Sequence, residues 1–188
     1  MNSEIAELCE RIYRKHRRAI DLIYEYRPDQ QLAIRELLEK LITNEPALIL
    51  DHCSKSYIRF WLKDLDADIL RQGEGWTNTG RMMLFQFNNF EDRLWLYLTI
   101  GPGPVETRQK LHDFSHRHKP ILKPANRVLN KKWNTIYDRE ILSPKTYHER
   151  TAEEKEVEIH KKWKQFLEND LPELRAILKA ETWLWENQ

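Results

Sequence analysis

The sequence lacks several features that mark common classes of protein. Its two cysteines, Cys9 and Cys53, stand in dissimilar contexts without the spacing of a metal site, so we expect reduced thiols in a reducing compartment. No apolar run reaches the roughly 18 residues of a membrane-spanning helix, and the polar start has no apolar signal segment. We therefore expect a cytoplasmic protein without a membrane partner.

Motifs of nucleotide-dependent and nucleophilic enzymes are also lacking. The chain has no Walker glycine loop, no G-x-G-x-x-G sequence and no G-x-S-x-G elbow. Such motifs place backbone N–H groups around phosphates or expose a nucleophilic serine. Their absence removes support for both enzyme classes, and we expect neither a catalytic residue nor a cofactor.

Composition and periodicity predict an α+β fold in a single domain, residues 1–188. Of the residues, 40% are apolar and 32% are charged, which favours amphipathic surface helices. Apolar residues at helical spacing predict an N-terminal helical hairpin over residues 1–45. A C-terminal helical pair is predicted within residues 150–186, opened by a capping box of Thr151 and Glu154 and interrupted at residues 169–172.

The central part of the chain, residues 46–142, predicts an antiparallel sheet of four or five strands with one helix. Period-two patterns and turn residues indicate the strands, and the helix is expected at residues 104–116. In the strand over residues 93–100, leucines alternate with Trp95 and Tyr97, so one face is core. We expect helices to cover the aromatic face as well, the alternative being a stacking platform for bases.

Charge is distributed unevenly. Residues 108–132 hold eight cations and one acid, Asp113, giving +7 in a chain of net charge +1. Confined basic charge indicates an anionic partner, DNA or RNA among them. The predicted nucleic-acid or anion-binding residues are Arg108, Lys110, Arg117, Lys119, Lys123, Arg127, Lys131 and Lys132.

The turn at residues 101–104 (GPGP) precedes this basic segment. It favours equally an anion-binding nest, with Arg108 one turn into the following helix, and a simple helix start. His112 and His116 share a helix face, but the surrounding lysines and arginines would repel a cation. We therefore expect no metal site.

Six stretches carry a resemblance to a known family. They are residues 16–31 (HRRAIDLIYEYRPDQQ), 54–60 (SKSYIRF), 73–77 (GEGWT), 87–109 (FNNFEDRLWLYLTIGPGPVETRQ), 129–137 (LNKKWNTIY) and 163–172 (WKQFLENDLP). Together they resemble the C-terminal region of a bacterial family within the PD-(D/E)XK nuclease superfamily. The resemblance spans nearly the whole chain, and it implies that the nuclease core of that family lies outside it.

A search for the nuclease motif agrees with this interpretation. The only acid followed two places later by lysine is Glu153, before Lys155, and both fall in the first turn of a predicted helix rather than on a core strand. No catalytic residue is carried over. The resemblance implies a non-catalytic accessory domain of a nuclease-type system, with a nuclease or defence-system protein as a partner.

Two alternatives remain open. The first is a protein-interaction or oligomerisation module that uses its amphipathic helices and the aromatic residues Trp183 and Trp185. The second is a metal-dependent nuclease of PD-(D/E)XK type with a cryptic site.

Overall fold

The structure is a computed structural model that describes residues 2–26 and 29–185. It divides into two units, residues 1–30 and 31–188, which are described separately. The first unit holds helix α1 (Asn2–Glu25), which bends at His16, where φ is −123° and ψ is 21°. The second predicted helix is present as α2 (Gln30–Thr43). Their pairing as a hairpin stays a prediction.

The second unit is built on a five-stranded antiparallel sheet in which each strand pairs with the next along the chain. Helix α3 (Val105–Arg117) connects the last two strands. The fold class predicted from the sequence, α+β with an antiparallel sheet and C-terminal helices, is confirmed. The strands are β1 (Leu48–Cys53), β2 (Tyr57–Leu62), β3 (Met83–Asn89), β4 (Leu94–Ile100) and β5 (Asn134–Leu142).

Helices at the C-terminal end cover one face of this sheet. They are α4 (Pro144–Glu149), α5 (Ala152–Gln165) and α6 (Leu171–Ala180), and the predicted capping box of Thr151 and Glu154 opens α5. The predicted interruption at residues 169–172 is wrong. A π-helical turn, Phe166–Asp170, joins α5 to α6 directly. Pro172, which has no N–H to donate, lies just after this turn, where the backbone leaves the i−4 hydrogen-bond pattern.

Aromatic rings fill the space between the sheet and these helices. Phe85 of β3 contacts Phe166 with ring centroids 5.4 Å apart, and Phe60 of β2 contacts Trp163 at 5.7 Å. Phe60, Phe85 and Phe166 are at most 1% exposed. Because each aromatic side chain buries a large apolar area, this cluster is the centre of the core.

A buried ionic network lies between the sheet and the loop before β3. The Arg81 guanidinium, 3% exposed, contacts Asp51 at 2.7 Å and Asp66 at 2.5 Å. The Thr79 hydroxyl also donates to Asp51. Since Thr79 belongs to the glycine-rich loop at residues 73–80, the network attaches that loop to the sheet.

Candidate functional site

Arg108 was predicted to bind an anion, and the structure corrects this. Its side chain is buried, and its guanidinium donates to the carbonyl oxygens of Gly101 (2.9 Å), Asn130 (2.6 Å), Lys131 (2.8 Å) and Lys132 (3.0 Å). Burial lowers the pKa of Arg108 without removing its charge at neutral pH. An arginine with these partners has no face left for a phosphate, so Arg108 holds the loop and does not bind a ligand.

The loop between α3 and β5, residues 118–133, carries most of the other predicted cations. We call it the basic loop. Its backbone is attached to β5 by bonds from Lys123 N to Ile136 O (2.6 Å) and from Ala125 N to Thr135 O (3.0 Å). Nε2 of His112 lies 3.1 Å from Asn126 O. Together with Arg108, these bonds hold an irregular segment against the edge strand of the sheet.

Five cations of the basic loop are exposed and form no ion pair within the described part of the chain. They are Lys119, Lys123, Arg127, Lys131 and Lys132. The two predicted cations on α3 are partly engaged instead. Lys110 lies 3.2 Å from Glu106 and over the Trp183 ring, and Arg117 contacts Glu181 at 2.5 Å. The basic loop therefore holds the cations most available to an external anion.

The anion nest that was one interpretation of the turn at residues 101–104 lacks two of its expected donors, the Gly101 N–H and the Arg108 guanidinium. The Gly101 N–H donates to Met82 O at 2.7 Å, and the Gly101 carbonyl accepts from Arg108. Glycine is needed at this position for another reason, because a Cβ there would collide with the Trp76 ring. The turn starts α3 and provides the surface on which Trp76 lies.

Histidines and acids do not converge on a metal site in the part of the chain that the structure describes. No group of three or more His, Cys, Asp or Glu side chains with suitable positions occurs among residues 2–26 and 29–185. The rings of His112 and His116 contact each other with centroids 4.6 Å apart, and Nε2 of His112 already forms a hydrogen bond with Asn126 O. Glu153 and Lys155 lie in the first turn of α5, as predicted.

The second face of the sheet is not covered as predicted. Trp95 and Tyr97 are half-buried and stack on each other, with centroids 6.0 Å apart and an interplanar angle of 10°. Neither belongs to the hydrophobic core, whereas the leucines that alternate with them are fully buried. The expectation that helices bury both faces of β4 is therefore wrong, because the C-terminal helices pack on the leucine face alone.

Strand register arranges the side chains of this open face in two rows across the sheet. Each row crosses β2, β3, β4 and β5 in that order. The first row is Arg59, Gln86, Tyr97 and Asp138, and the second is Tyr57, Asn88, Trp95 and Glu140. Directly opposed residues on one face lie within contact distance of each other. The open face therefore combines aromatic rings, amides and charges on a rigid support.

A groove of about 520 Å³ runs along the open face. Its walls include Trp76, from the glycine-rich loop, and Trp133, at the end of the basic loop, whose rings contact edge to face at 5.2 Å. Trp133 is 45% exposed and Tyr57 is 37% exposed. The groove is lined by Tyr57, Arg59, Trp76, Gln86, Asn88, Tyr97, Thr99, Trp133 and Thr135.

Arg59 is the charged group of the groove. Its guanidinium lies over Trp76 at 5.2 Å and over Tyr57 at 5.6 Å, and Nε donates to Gln86 Oε1 at 2.6 Å. Burial lowers the pKa of Arg59, but an arginine guanidinium stays protonated in proteins, so the cation persists. Two aromatic rings and an amide thus hold a positive charge at the floor of the groove.

Most of this groove was not predicted from the sequence, although part of its signal was present. Arg59 alternates with buried Ile58 and Phe60 in β2, and Gln86 with buried Phe85 and Phe87 in β3. Polar residues at every second position of a strand indicate a solvated face. No sequence pattern places Trp76 and Trp133, since both come from irregular segments whose path depends on tertiary contacts.

The C-terminal tryptophans do not form the exposed interface that one alternative required. Trp183 and Trp185 are half-buried and pack against the core of the second unit. Nε1 of Trp183 donates to Glu181 at 2.8 Å. This packing leaves little of either ring to contact another protein.

Comparisons with known proteins identify no relative of this chain. No family model, curated protein or solved structure matches it. Among the helices described, none is long and apolar enough to cross a membrane.

Proposed function

We propose that this chain is a non-catalytic module that binds nucleic acid through the basic loop, as an accessory part of a nuclease-type system. One observation carries the proposal: five exposed cations that form no ion pair with residues 2–26 and 29–185 lie on a loop that Arg108 and β5 hold in place. Cations of this kind neutralise phosphates and release condensed counterions, which supplies most of sequence-independent binding.

The test is a salt titration of binding, measured by fluorescence anisotropy on labelled single-stranded and duplex DNA and RNA. Affinity should fall steeply with salt, with a log-log slope of about 0.9 for each neutralised duplex phosphate. Replacing both Lys131 and Lys132 by glutamine should weaken binding on every sequence and flatten the slope by about one unit per lost contact.

A matched control separates local contacts from net charge. Lys161 and Lys162 are also consecutive lysines, but they lie on α5 and each contacts Glu158. Their replacement by glutamine removes the same charge and should leave the slope unchanged. Equal effects of the two double variants, or no binding at about 50 mM salt, where phosphate contacts are strong, would contradict the proposal.

The absence of catalysis is a separate part of the proposal. A metal-dependent nuclease needs carboxylates that share a cation, whereas Glu153 and Lys155 lie in a helical turn and Glu154 is occupied in the capping box. The purified chain should cut neither plasmid nor single-stranded DNA with Mg²⁺ or Mn²⁺. Cutting that disappears in Glu153→Ala would support the nuclease alternative instead.

A second candidate function, self-association, is favoured by helix α1. Ile5, Leu8 and Ile12, which precede the bend at His16, share one face and are each about half exposed. Three acids, Glu4, Glu7 and Glu10, precede a run of five cations within residues 11–18. Antiparallel pairing with a second copy of α1 would place the acidic end of each helix beside the basic part of the other.

Sedimentation velocity tests this candidate. Ile12→Asp should convert an associated species to monomer, because it places a charge on the apolar face. Val157→Asp is the control, since Val157 is an exposed apolar residue of α5. A wild-type chain that is monomeric at all accessible concentrations would exclude self-association through α1.

A further inference from the structure

We infer that the groove on the open sheet face binds unpaired bases, so that the preferred ligand is single-stranded rather than duplex nucleic acid. This inference rests on the proposed function and adds the strandedness of the ligand and the residues that select it. Four observations carry it: the aromatic walls, the unused polar groups, the distribution of charge and the attachment of the groove to the basic loop.

The aromatic walls offer stacking surfaces that are open to a ligand. Trp133 and Tyr57 are among the more exposed aromatic side chains of the second unit, and both line the groove. Bases stack on such rings whatever their sequence, because every base has a π face. In a duplex those faces are covered by neighbouring bases, so only an unpaired strand can present them to the groove.

Polar groups in the groove are available to the edges of a base. Within residues 29–185, the Asn88 side-chain nitrogen and the hydroxyls of Tyr97, Thr99 and Thr135 form no hydrogen bond with the protein. Burial, and to a lesser degree Asp138, raises the pKa of Tyr97, so its hydroxyl stays protonated and can donate. Base edges supply matching donors and acceptors once they are unpaired.

Charge is complementary to a strand that runs along one side of the groove. Lys131 and Lys132 immediately precede Trp133, and Arg59 provides a cation at the floor. Farther along β5, the edge strand that the basic loop adjoins, Asp138 and Glu140 stand opposite Tyr97 and Trp95. These carboxylates repel phosphates. The phosphate backbone of the nucleic acid should therefore follow the basic loop, and its bases should lie on the sheet.

The basic loop and the groove are one connected structure. Thr135, which lines the groove, accepts a backbone bond from Ala125 of the loop, and Arg108 holds the carbonyls of residues 130–132 just before Trp133. A nucleic-acid strand whose phosphates contact the basic loop therefore lies beside the aromatic walls of the groove. The volume of the groove, about 520 Å³, falls within the range of roughly 300–1,000 Å³ that is usual for small-ligand sites.

The experiment compares a fluorescein-labelled DNA strand of mixed sequence and about 16 nucleotides, the upper site size of a sheet-based binding module, with the same strand annealed to its complement. A matching RNA strand is included. We expect the single strands to bind about tenfold or more tightly than the duplex, as loss of stacking at one or two rings would predict.

Variants locate the selectivity. Tyr57→Ala and Trp133→Ala should each weaken single-strand binding about five- to 100-fold, the range for loss of one stacked base, and leave duplex binding and the salt slope unchanged. Tyr57→Phe keeps the ring and should bind like the wild type. Thermal melting of each variant checks folding, and Tyr57→Ala alone suffices if Trp133→Ala does not fold.

The outcomes distinguish this inference from the proposed function. One outcome overturns the groove as a base site and leaves the basic loop as a phosphate site. In that outcome single-stranded and duplex probes bind with equal affinity, Tyr57→Ala does not change binding, and the double variant of Lys131 and Lys132 weakens it. No binding of any probe at low salt overturns both. Single-strand preference that is lost in Tyr57→Ala and kept in Tyr57→Phe supports the inference.

Discussion

The two faces of the sheet are formed by the same strands and carry a similar number of aromatic rings, yet the C-terminal helices cover only one of them. On the covered face, Phe60 and Phe85 contact Phe166 and Trp163 and are excluded from solvent. On the open face, Trp95 stacks on Tyr97 and remains half-buried. An aromatic strand face is therefore compatible with packing or with recognition.

Neighbouring polar residues distinguish these two outcomes. The covered face has a row of aromatic and apolar residues across Phe60, Phe85 and Leu98, whereas a row on the open face contains Arg59 and Gln86. Burying the guanidinium of Arg59 beneath a helix without a counter-charge would cost free energy. The open face is thus kept partly solvated by its charged and amide side chains, and aromatic rings there are available to a ligand.

The largest effect is expected on the covered face. Phe85→Ala should lower the free energy of unfolding by about 3–5 kcal/mol, because it removes a large side chain from a closely packed site. Urea denaturation measures the change. A loss of less than about 1 kcal/mol, typical of surface substitutions, would contradict the assignment of this face as the core.

The next prediction concerns Arg108, which holds the basic loop beside the open face. Arg108→Leu should cost about 2 kcal/mol, because buried carbonyl acceptors lose their donor, and should make the basic loop sensitive to protease. Limited proteolysis followed by mass spectrometry locates the cleavage. If Arg108 instead bound phosphate, the variant would stay protease-resistant and would change only the salt slope of nucleic-acid binding.

On the open face, Trp95→Ala should cost about 1–2 kcal/mol, because it removes one stacked aromatic pair and the part of the ring that is buried. The same denaturation assay compares it with Phe85→Ala. A cost near that of Phe85→Ala would mean that the aromatic face is packed after all, and it would remove the distinction between the two faces.

The smallest effect concerns pH and the loop that carries Trp76. Burial raises the pKa of Asp66, but hydrogen bonds from Arg81 and Arg71 outweigh it, so the pKa is lowered on folding. The stabilisation by Asp66 is therefore complete above its unfolded pKa of about 3.9 and is lost as the pH falls through the lower folded value. The stability difference between wild type and Asp66→Asn should shrink as the pH falls below about 4. A constant difference would contradict the ionic role of Asp66.

Much of the second unit followed from local patterns. The strand that begins near Leu94 and the capping box of Thr151 with Glu154 were predicted because alternation and capping act over a few residues. The role of Arg108 was not predicted correctly. Charge and position in the sequence are the same for an arginine that binds phosphate and for one that holds a loop, and only burial among carbonyl groups separates them.

The sequence by itself determined that this chain forms an α+β fold with a basic segment, since hydrophobic periodicity and charge are properties of neighbouring residues. Tertiary structure alone decided which face of the sheet the helices cover and which cations stay exposed. It also brought Trp76 and Trp133 together across 57 positions of the chain. The reason is physical: coverage and convergence depend on the paths of distant segments, and no local pattern records those paths.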